Sequence, residues 1–288
     1  MSSTTSLEVG SVLSLWRYPV KSMAGEELQS TEVTGLGLLG DRAYALVDAS
    51  SGKVVSAKNP KKWKGLFDLR ATFIEPPAAG AKLPPVRIAL PDGTTVHTAQ
   101  REFEAILSRL LERQVRLDMI ETHIHAAAPA SGEAGPVNAE AYWPDMDGLD
   151  HRDTVTDFTL PAGTFFDCAS VHLLTTATLA RLHELQPQGR FEVRRFRPNI
   201  VIEPTSGEKV FLEDAWLGRT LALGAKVRLE ITGPCGRCVM TTLPQGDLPR
   251  DLGILRTVAE HHGAQVGIYA AVVQGGTIRR GDPVRLVP

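Results

Sequence analysis

The run V-R-L-E-I-T-G-P-C-G-R-C-V-M-T-T-L, Val227 to Leu243, sets a Gly-Pro pair, two cysteines and a Gly-Arg pair between two β-branched, apolar stretches. Val227–Thr232 and Val239–Leu243 read as strands flanking the loop that carries Cys235 and Cys238. Cysteines in a strand–loop–strand setting, beside an arginine, point to a presented thiol rather than to core filling.

Strands continue outward from that loop. Val171–Leu174, Ile200–Ile202, Leu221–Leu223, Val266–Val273 and Val284–Val287 are apolar runs of strand length. Two helices interrupt them. One is capped by Thr175 or Thr176 and carries Leu179, Leu182 and Leu185; the other spans Leu252–His262. Upstream, Val12–Tyr18, Ala43–Val47, Val86–Leu90, Thr94–His97 and Val115–Ile120 read as strands, with turns at Gly35–Gly40, Ser50–Lys53 and Pro91–Gly93. Phe103, Ile106, Leu107, Leu110 and Leu111 fall on one helical stripe, with Thr98 as its N-cap. Short strands broken by turn residues predict an antiparallel sheet or barrel. The expected class is mainly β with short helices (α+β).

From His123 to Asp153 periodicity is lost. That divides the chain into a domain over 8–122, a linker or loop over 123–153 and a second domain over 154–288. His123, His125, Asp145, Asp147, Asp150, His151 and Asp153 match no calcium-loop or zinc spacing, and read as a solvated acidic loop.

The 288 residues suffice for a sizeable core, and 43% apolar with 22% charged residues is ordinary for a globular protein. A net charge of −2 gives no global field toward nucleic acid or anionic lipid, so an anionic ligand needs a local cluster. Three cysteines cannot form a disulfide framework, and an odd count suits a reducing compartment. No signal peptide and no apolar run of membrane-spanning length is visible, so the expectation is a cytoplasmic protein with no membrane and no nucleic acid among its partners.

Cys235-Gly236-Arg237-Cys238 admits several chemistries. A structural zinc lacks its four ligands, and a thioredoxin-like dithiol lacks the helix it should open. Two readings stay open: an inert buried pair, or a single thiolate ligand to a soft metal, with Arg237 lowering the thiol pKa and contacting an anion. Tyr18-Pro19-Val20-Lys21-Ser22 puts a cation and a hydroxyl on a loop, where phosphate can be held. Asp41-Arg42 and the cluster Arg190, Arg194, Arg195 and Arg197 add guanidinium groups, and Arg197-Pro198-Asn199 is a stiff polar pair suited to a planar heterocycle or phosphate.

Taken together and in order, L-W-R-Y-P-V-K-S, the downstream D-R, F-R-P-N-I-V, C-G-R-C-V-M-T-T and the later G-x-Y and G-D-P-V resemble the MOSC family, over about residues 10–288. Within it, the resemblance is to the branch of the mitochondrial amidoxime-reducing component and its bacterial relatives. It implies an N-terminal β-barrel-like MOSC_N domain followed by a β-barrel MOSC domain. It implies a molybdenum cofactor (Mo-molybdopterin) with Cys238 as metal ligand and catalytic centre, and Cys235 as a position not required. Lys21, Ser22, Arg42, Asp167, Arg197, Asn199, Gly236, Arg237 and Tyr269 match cofactor-binding positions. The implied activity is reduction of N-hydroxylated small molecules such as amidoximes, hydroxamic acids and N-hydroxylated bases; a carrier of molybdenum cofactor or sulfur is the alternative. Neither pyridoxal phosphate nor an iron–sulfur cluster of its own is implied. Electrons then come from a separate electron-transfer protein of ferredoxin, flavoprotein or cytochrome type.

Overall fold

Alternation of apolar and polar residues along Val227–Gly236 buries Val227, Leu229 and Ile231 and turns Arg228 and Glu230 outward, the pattern of a barrel strand with one face on the core. The computed structural model describes residues 6–120, 137–145 and 153–287. Within them seven strands close a barrel. Ile200–Pro204, Val171–Thr175, Gln265–Gln274, Val227–Gly236, Thr220–Leu223, Pro283–Val287 and Leu7–Arg17 are hydrogen-bonded in that order, and Leu7–Arg17 pairs back onto Ile200–Pro204. Val171–Thr175 and Ile200–Pro204 run parallel, joined through the helix Thr176–Leu185; the other ring pairs are antiparallel. Leu15, Leu173, Ile200, Leu221, Leu229 and Ile268 fill the interior.

Closure has a consequence for the expected division of the chain. A barrel needs a strand between Ile200–Pro204 and Pro283–Val287, and the first strand of the chain supplies it. Ser30–Thr34 likewise pairs with Gly276–Arg279. The two halves are therefore interlocked: the strand Leu7–Arg17, which falls almost wholly in the expected 8–122 unit, belongs to the barrel built by the second half. The 123–153 stretch is not structureless throughout. Asn138–Trp143 is a strand paired with Thr154–Thr159, and Ala139, Leu160 and Phe165 pack on Ala45, Val47 and Val54 of the first half. Of the acidic residues considered there for metal, Asp145 and Asp153 are described, and Asp153 accepts from the Tyr142 hydroxyl and lies beside Lys61. His123, His125, Asp147, Asp150 and His151 lie outside the described residues.

The rest of the first half is a set of small sheets. Tyr44–Asp48 pairs with Val115–Met119, and Arg70–Phe73, Val86–Ala89 and Thr95–His97 form a three-stranded meander. They wrap a core of Trp63, Leu66, Phe67, Leu69, Phe103 and Leu107. The helix there is Phe103–Leu110; Thr98 does not cap it, because its hydroxyl accepts from the Val86 N–H at 3.0 Å and belongs to the sheet.

Val239–Thr242 is a 3₁₀ turn rather than the expected strand. The cause is local. The Thr241 hydroxyl donates to the Cys238 carbonyl at 3.0 Å and the Thr242 hydroxyl to the Val239 carbonyl at 2.8 Å, so both threonines bond back three residues and close a helical turn. The β-branched residues that suggested extension instead fold the chain back immediately after Cys238.

Candidate functional site

Three adjacent barrel strands end on one rim, and their register decides what gathers there. His172 is opposite Tyr269 in the pair Val171–Thr175 and Gln265–Gln274, with the rings 6.0 Å apart and edge-on. Along Val227–Gly236 the register slips between Ile231 and Gly233 and again between Pro234 and Gly236. Such irregularities re-aim a strand end, and here they deliver Cys235, Gly236, Arg237 and Cys238 to the rim. Helix Leu252–His262, capped by the Asp251 carboxylate at 2.9 Å from Gly253 N, ends at Gly263 and leads Ala264 and Gln265 to the same place. Arg197 and Asn199 enter from the segment before Ile200, and Asp167 and Cys168 from the segment before Val171.

These residues line a cavity of about 530 Å³ between the barrel rim and the first half of the chain. Lys21, Ser22, Arg42, Asp167, Arg197, Asn199, Gly236, Arg237, Cys238 and Tyr269 all border it. Six cationic side chains and one carboxylate line it among the described residues, an excess that favours an anionic ligand. Four non-glycine residues on the lining, Ser22, Arg42, Arg197 and Ala264, have positive φ, between 49° and 66°. Each such residue costs on the order of 1–3 kcal/mol and is held only by its surroundings, a concentration of strain expected where a site must present fixed groups.

What holds them is a buried polar frame. Asp41 is fully buried, accepts from Tyr18 N at 2.7 Å and from Asn199 Nδ2 at 2.8 Å, and pairs with the Arg42 guanidinium. The Tyr18 ring lies between two guanidinium groups, Arg42 at 4.4 Å and Arg197 at 4.2 Å. Burial pushes the Tyr18 phenol up to about 12, and lowers Arg197 to about 10, still charged at neutral pH. Asn199 Oδ1 accepts from His172 N at 3.1 Å, so this side chain ties rim to frame and its amide is committed to protein. The Ser22 hydroxyl accepts from Ala57 N at 3.0 Å and retains its own O–H for donation.

Asp167 joins the two lysines. It accepts from Lys21 Nζ at 2.5 Å and lies 3.1 Å from Lys58 Nζ. Burial alone would raise its carboxyl; the two lysines outweigh that and hold it well below the usual carboxylate range. Burial lowers Lys21, with Asp167 opposing. Lys58 was not picked out in the sequence. Its signal was the run K-N-P-K-K-W-K, Lys58 to Lys64, whose other lysines obscure which one turns inward.

The three cysteines differ. Cys235 is 2% exposed, burial pushes its thiol up, and its Sγ lies 3.9 Å from the Gly236 carbonyl. Cys168 is exposed, and Cys238 is half-buried on the cavity wall. Burial also raises the Cys238 thiol, and Lys58 is the strongest opposing group, followed by the Met240 N–H. Arg237, expected to lower this thiol, has only a minor effect on it. Its donors go elsewhere: Nε to Val266 O at 2.8 Å, Nη1 to Phe196 O at 2.9 Å and Nη2 to His172 Nε2 at 2.5 Å. Arginine can only donate, so His172 Nε2 accepts and the ring is neutral; burial and Arg237 keep its pKa well below the ordinary value.

The remaining arginines of the cluster divide. Arg190 and Arg194 pair with Glu192 and Asp247 at the surface. Arg195 is 1% exposed and donates to Arg190 O, Thr241 O, Leu243 O and Pro249 O, pinning the turn after Cys238.

Residues 161–285 match the model of the MOSC domain, and residues 9–62 match that of the MOSC N-terminal beta barrel domain. The chain belongs to the MOSC-domain proteins. This MOSC protein is 24% identical over 302 residues to mitochondrial amidoxime reducing component 2 of Rattus norvegicus, covering 96% of this chain and 83% of that one. It is 26% identical over 310 residues to mitochondrial amidoxime-reducing component 1 of Homo sapiens, covering 97% and 84%. Molybdenum cofactor sulfurase of Homo sapiens is 21% identical over 280 residues, covering 90% of this chain and 29% of the relative. In the MOSC protein described here, the N-terminal match supplies Lys21, Ser22, Arg42 and Lys58 to the cavity, and the MOSC match supplies Asp167, Arg197, Cys238 and Tyr269. No helix among the described residues is long and apolar enough to cross a membrane.

Proposed function

We propose that this MOSC protein is a molybdenum-cofactor-dependent reductase of N-hydroxylated compounds, with the cofactor held in the 530 Å³ cavity. The observation that supports it most directly is a half-buried thiol, Cys238, on the wall of a cavity that the exposed Cys168 also borders and into which cations converge from both halves of the chain. A thiolate is a soft ligand suited to molybdenum, and a pterin phosphate needs the kind of cationic, hydroxyl-bearing surroundings present here. The donor set fits the group. The relatives named amidoxime-reducing components give the substrate class.

Cys238 would ligate the metal, and Lys21, Ser22, Arg42, Lys58 and Arg197 would hold the phosphate and pterin. The cofactor supplies two-electron transfer when bound. Lys58 offsets the cost of ionising the buried Cys238 thiol. Asp167 accepts from Lys21, lies beside Lys58 and favours the charged form of both against burial. Asn199, Asp41 and Arg237 keep the rim in register, and burial withdraws the Cys235 thiol. Reduction of an amidoxime consumes two electrons and two protons, and releases an amidine and water. The electrons come from a separate electron-transfer protein.

The test is metal and pterin content with benzamidoxime turnover on a viologen reductant, for protein expressed in a cofactor-competent host. Wild type holds molybdenum and turns over. Cys238→Ala loses both, and Cys235→Ala keeps both. A Cys238→Ala protein with full metal and activity refutes the assignment. Wild type that binds cofactor, passes it to an apo-acceptor and reduces nothing identifies a carrier.

A further inference from the structure

Behind the Tyr18–Arg197 wall lies a second cavity, of about 370 Å³, and none of the roles above uses it. Trp16, Tyr18 and Phe67 supply aromatic surface, and Arg70 and Arg197 supply guanidinium groups. Arg197 also borders the first cavity, so the two share one buried side chain.

Its lining has the composition of a binding site. Arg197 is 9% exposed, stacks at 4.2 Å on Tyr18 and 5.1 Å on Phe67, and donates Nη1 to Met23 O at 2.7 Å. A guanidinium has five N–H donors, so that bond leaves capacity for an anion. Arg70 is exposed at the rim and donates Nη1 to Gly25 O at 3.1 Å, which fixes its direction. Arg194 is neutralised by Glu192 and Asp247, and Asp68 is the carboxylate on the lining. The Gln245 amide nitrogen is buried without a partner among the described residues, so the wall includes an unsatisfied donor rather than closed apolar packing. Aromatic walls with directed guanidinium groups select a flat ring bearing a negative charge.

We propose that this second cavity binds a small planar aromatic carboxylate, with the ring against Trp16 and Phe67 and the carboxylate on Arg70 and Arg197. Occupancy would bear on Arg197, and so on the first cavity, through a shared side chain.

The test is isothermal titration calorimetry of the full-length protein with 2-naphthoate, with cyclohexanecarboxylate and 2-naphthamide as controls lacking the flat ring or the charge. Saturable 2-naphthoate binding is expected, with both controls at least about tenfold weaker. Arg70→Gln weakens 2-naphthoate by about tenfold or more, and Asp68→Asn, which removes the nearby negative charge, tightens it. A general loss of structure would weaken binding in both variants, so the opposite signs are diagnostic. Lys21→Gln, confined to the first cavity, leaves 2-naphthoate binding unchanged. The proposal is overturned if no saturable heat is seen up to about 10 mM, if Arg70→Gln binds like wild type, or if Lys21→Gln abolishes binding.

Discussion

Replacing Asp41 by asparagine changes no volume, yet reverses the polarity of the group on which the site frame is built. Asp41 Oδ1 accepts from the Tyr18 N–H at 2.7 Å, and an asparagine carbonyl can keep that bond. Oδ2 accepts from Asn199 Nδ2 at 2.8 Å and from the Arg42 guanidinium. An asparagine NH₂ there would face two donors. The ion pair is lost, and Arg42, whose side chain is only 15% exposed, is left with little water to replace it. Breaking a buried pair by removing one partner costs about 3–5 kcal/mol. Partial access of Arg42 to solvent favours the lower end, about 3 kcal/mol. With a urea slope of about 1–3 kcal/mol/M, the unfolding midpoint should fall by about 1–3 M. The fluorescence of Trp16, Trp63, Trp143 and Trp216 reports it, and near-native far-UV circular dichroism in zero urea would confirm that the variant folds. A midpoint within about 0.3 M of wild type, roughly 0.3–0.9 kcal/mol on the same slope, would refute the claim that Asp41 organises the frame.

Three further outcomes follow from the same geometry. Lys58→Gln removes the strongest group opposing the rise of the Cys238 thiol, so the pH midpoint for alkylation of Cys238 should move upward in a Cys168→Ser background, read by site-resolved mass spectrometry; no movement would sever Lys58 from this thiol. His172 is held neutral while the unfolded chain protonates near pH 6.5, so below that pH the unfolded state binds the extra proton and stability falls by up to about 1.4 kcal/mol per pH unit. His172→Gln should flatten this part of the stability–pH profile, and an unchanged slope would show that His172 protonates in place. Glu213 is 1% exposed, accepts from the Thr175 and Thr178 hydroxyls at 2.6 Å each, and is raised by burial, so its ionisation costs stability as pH rises above the unfolded value. Glu213→Gln keeps an acceptor that cannot ionise, and should raise the melting temperature at pH 7 by about 2–4 °C for each kcal/mol recovered; a lower melting temperature would refute a net cost of ionising Glu213 in place.

Much of the architecture was written locally. Strand alternation around Val227, the helix Leu252–His262 with its Asp251 cap and Gly263 stop, and the Thr175 cap all depend on neighbours a few residues apart, and such signals survive without a fold. Local signals misled where a side chain found a different backbone partner. Thr241 and Thr242 curled Val239–Thr242 into a turn, and Thr98 was taken into the sheet.

By itself, the sequence determined the class of fold, the cysteine loop and the cationic motifs, because each is a short pattern of residue types. Only the tertiary structure decided that the first strand closes the barrel, that Lys58 acts on Cys238 more than Arg237 does, and that Cys235 is buried. The reason is physical. Barrel closure pairs residues nearly the whole chain apart, and the charge state of a thiol depends on through-space distance and burial, which spacing along the chain does not encode.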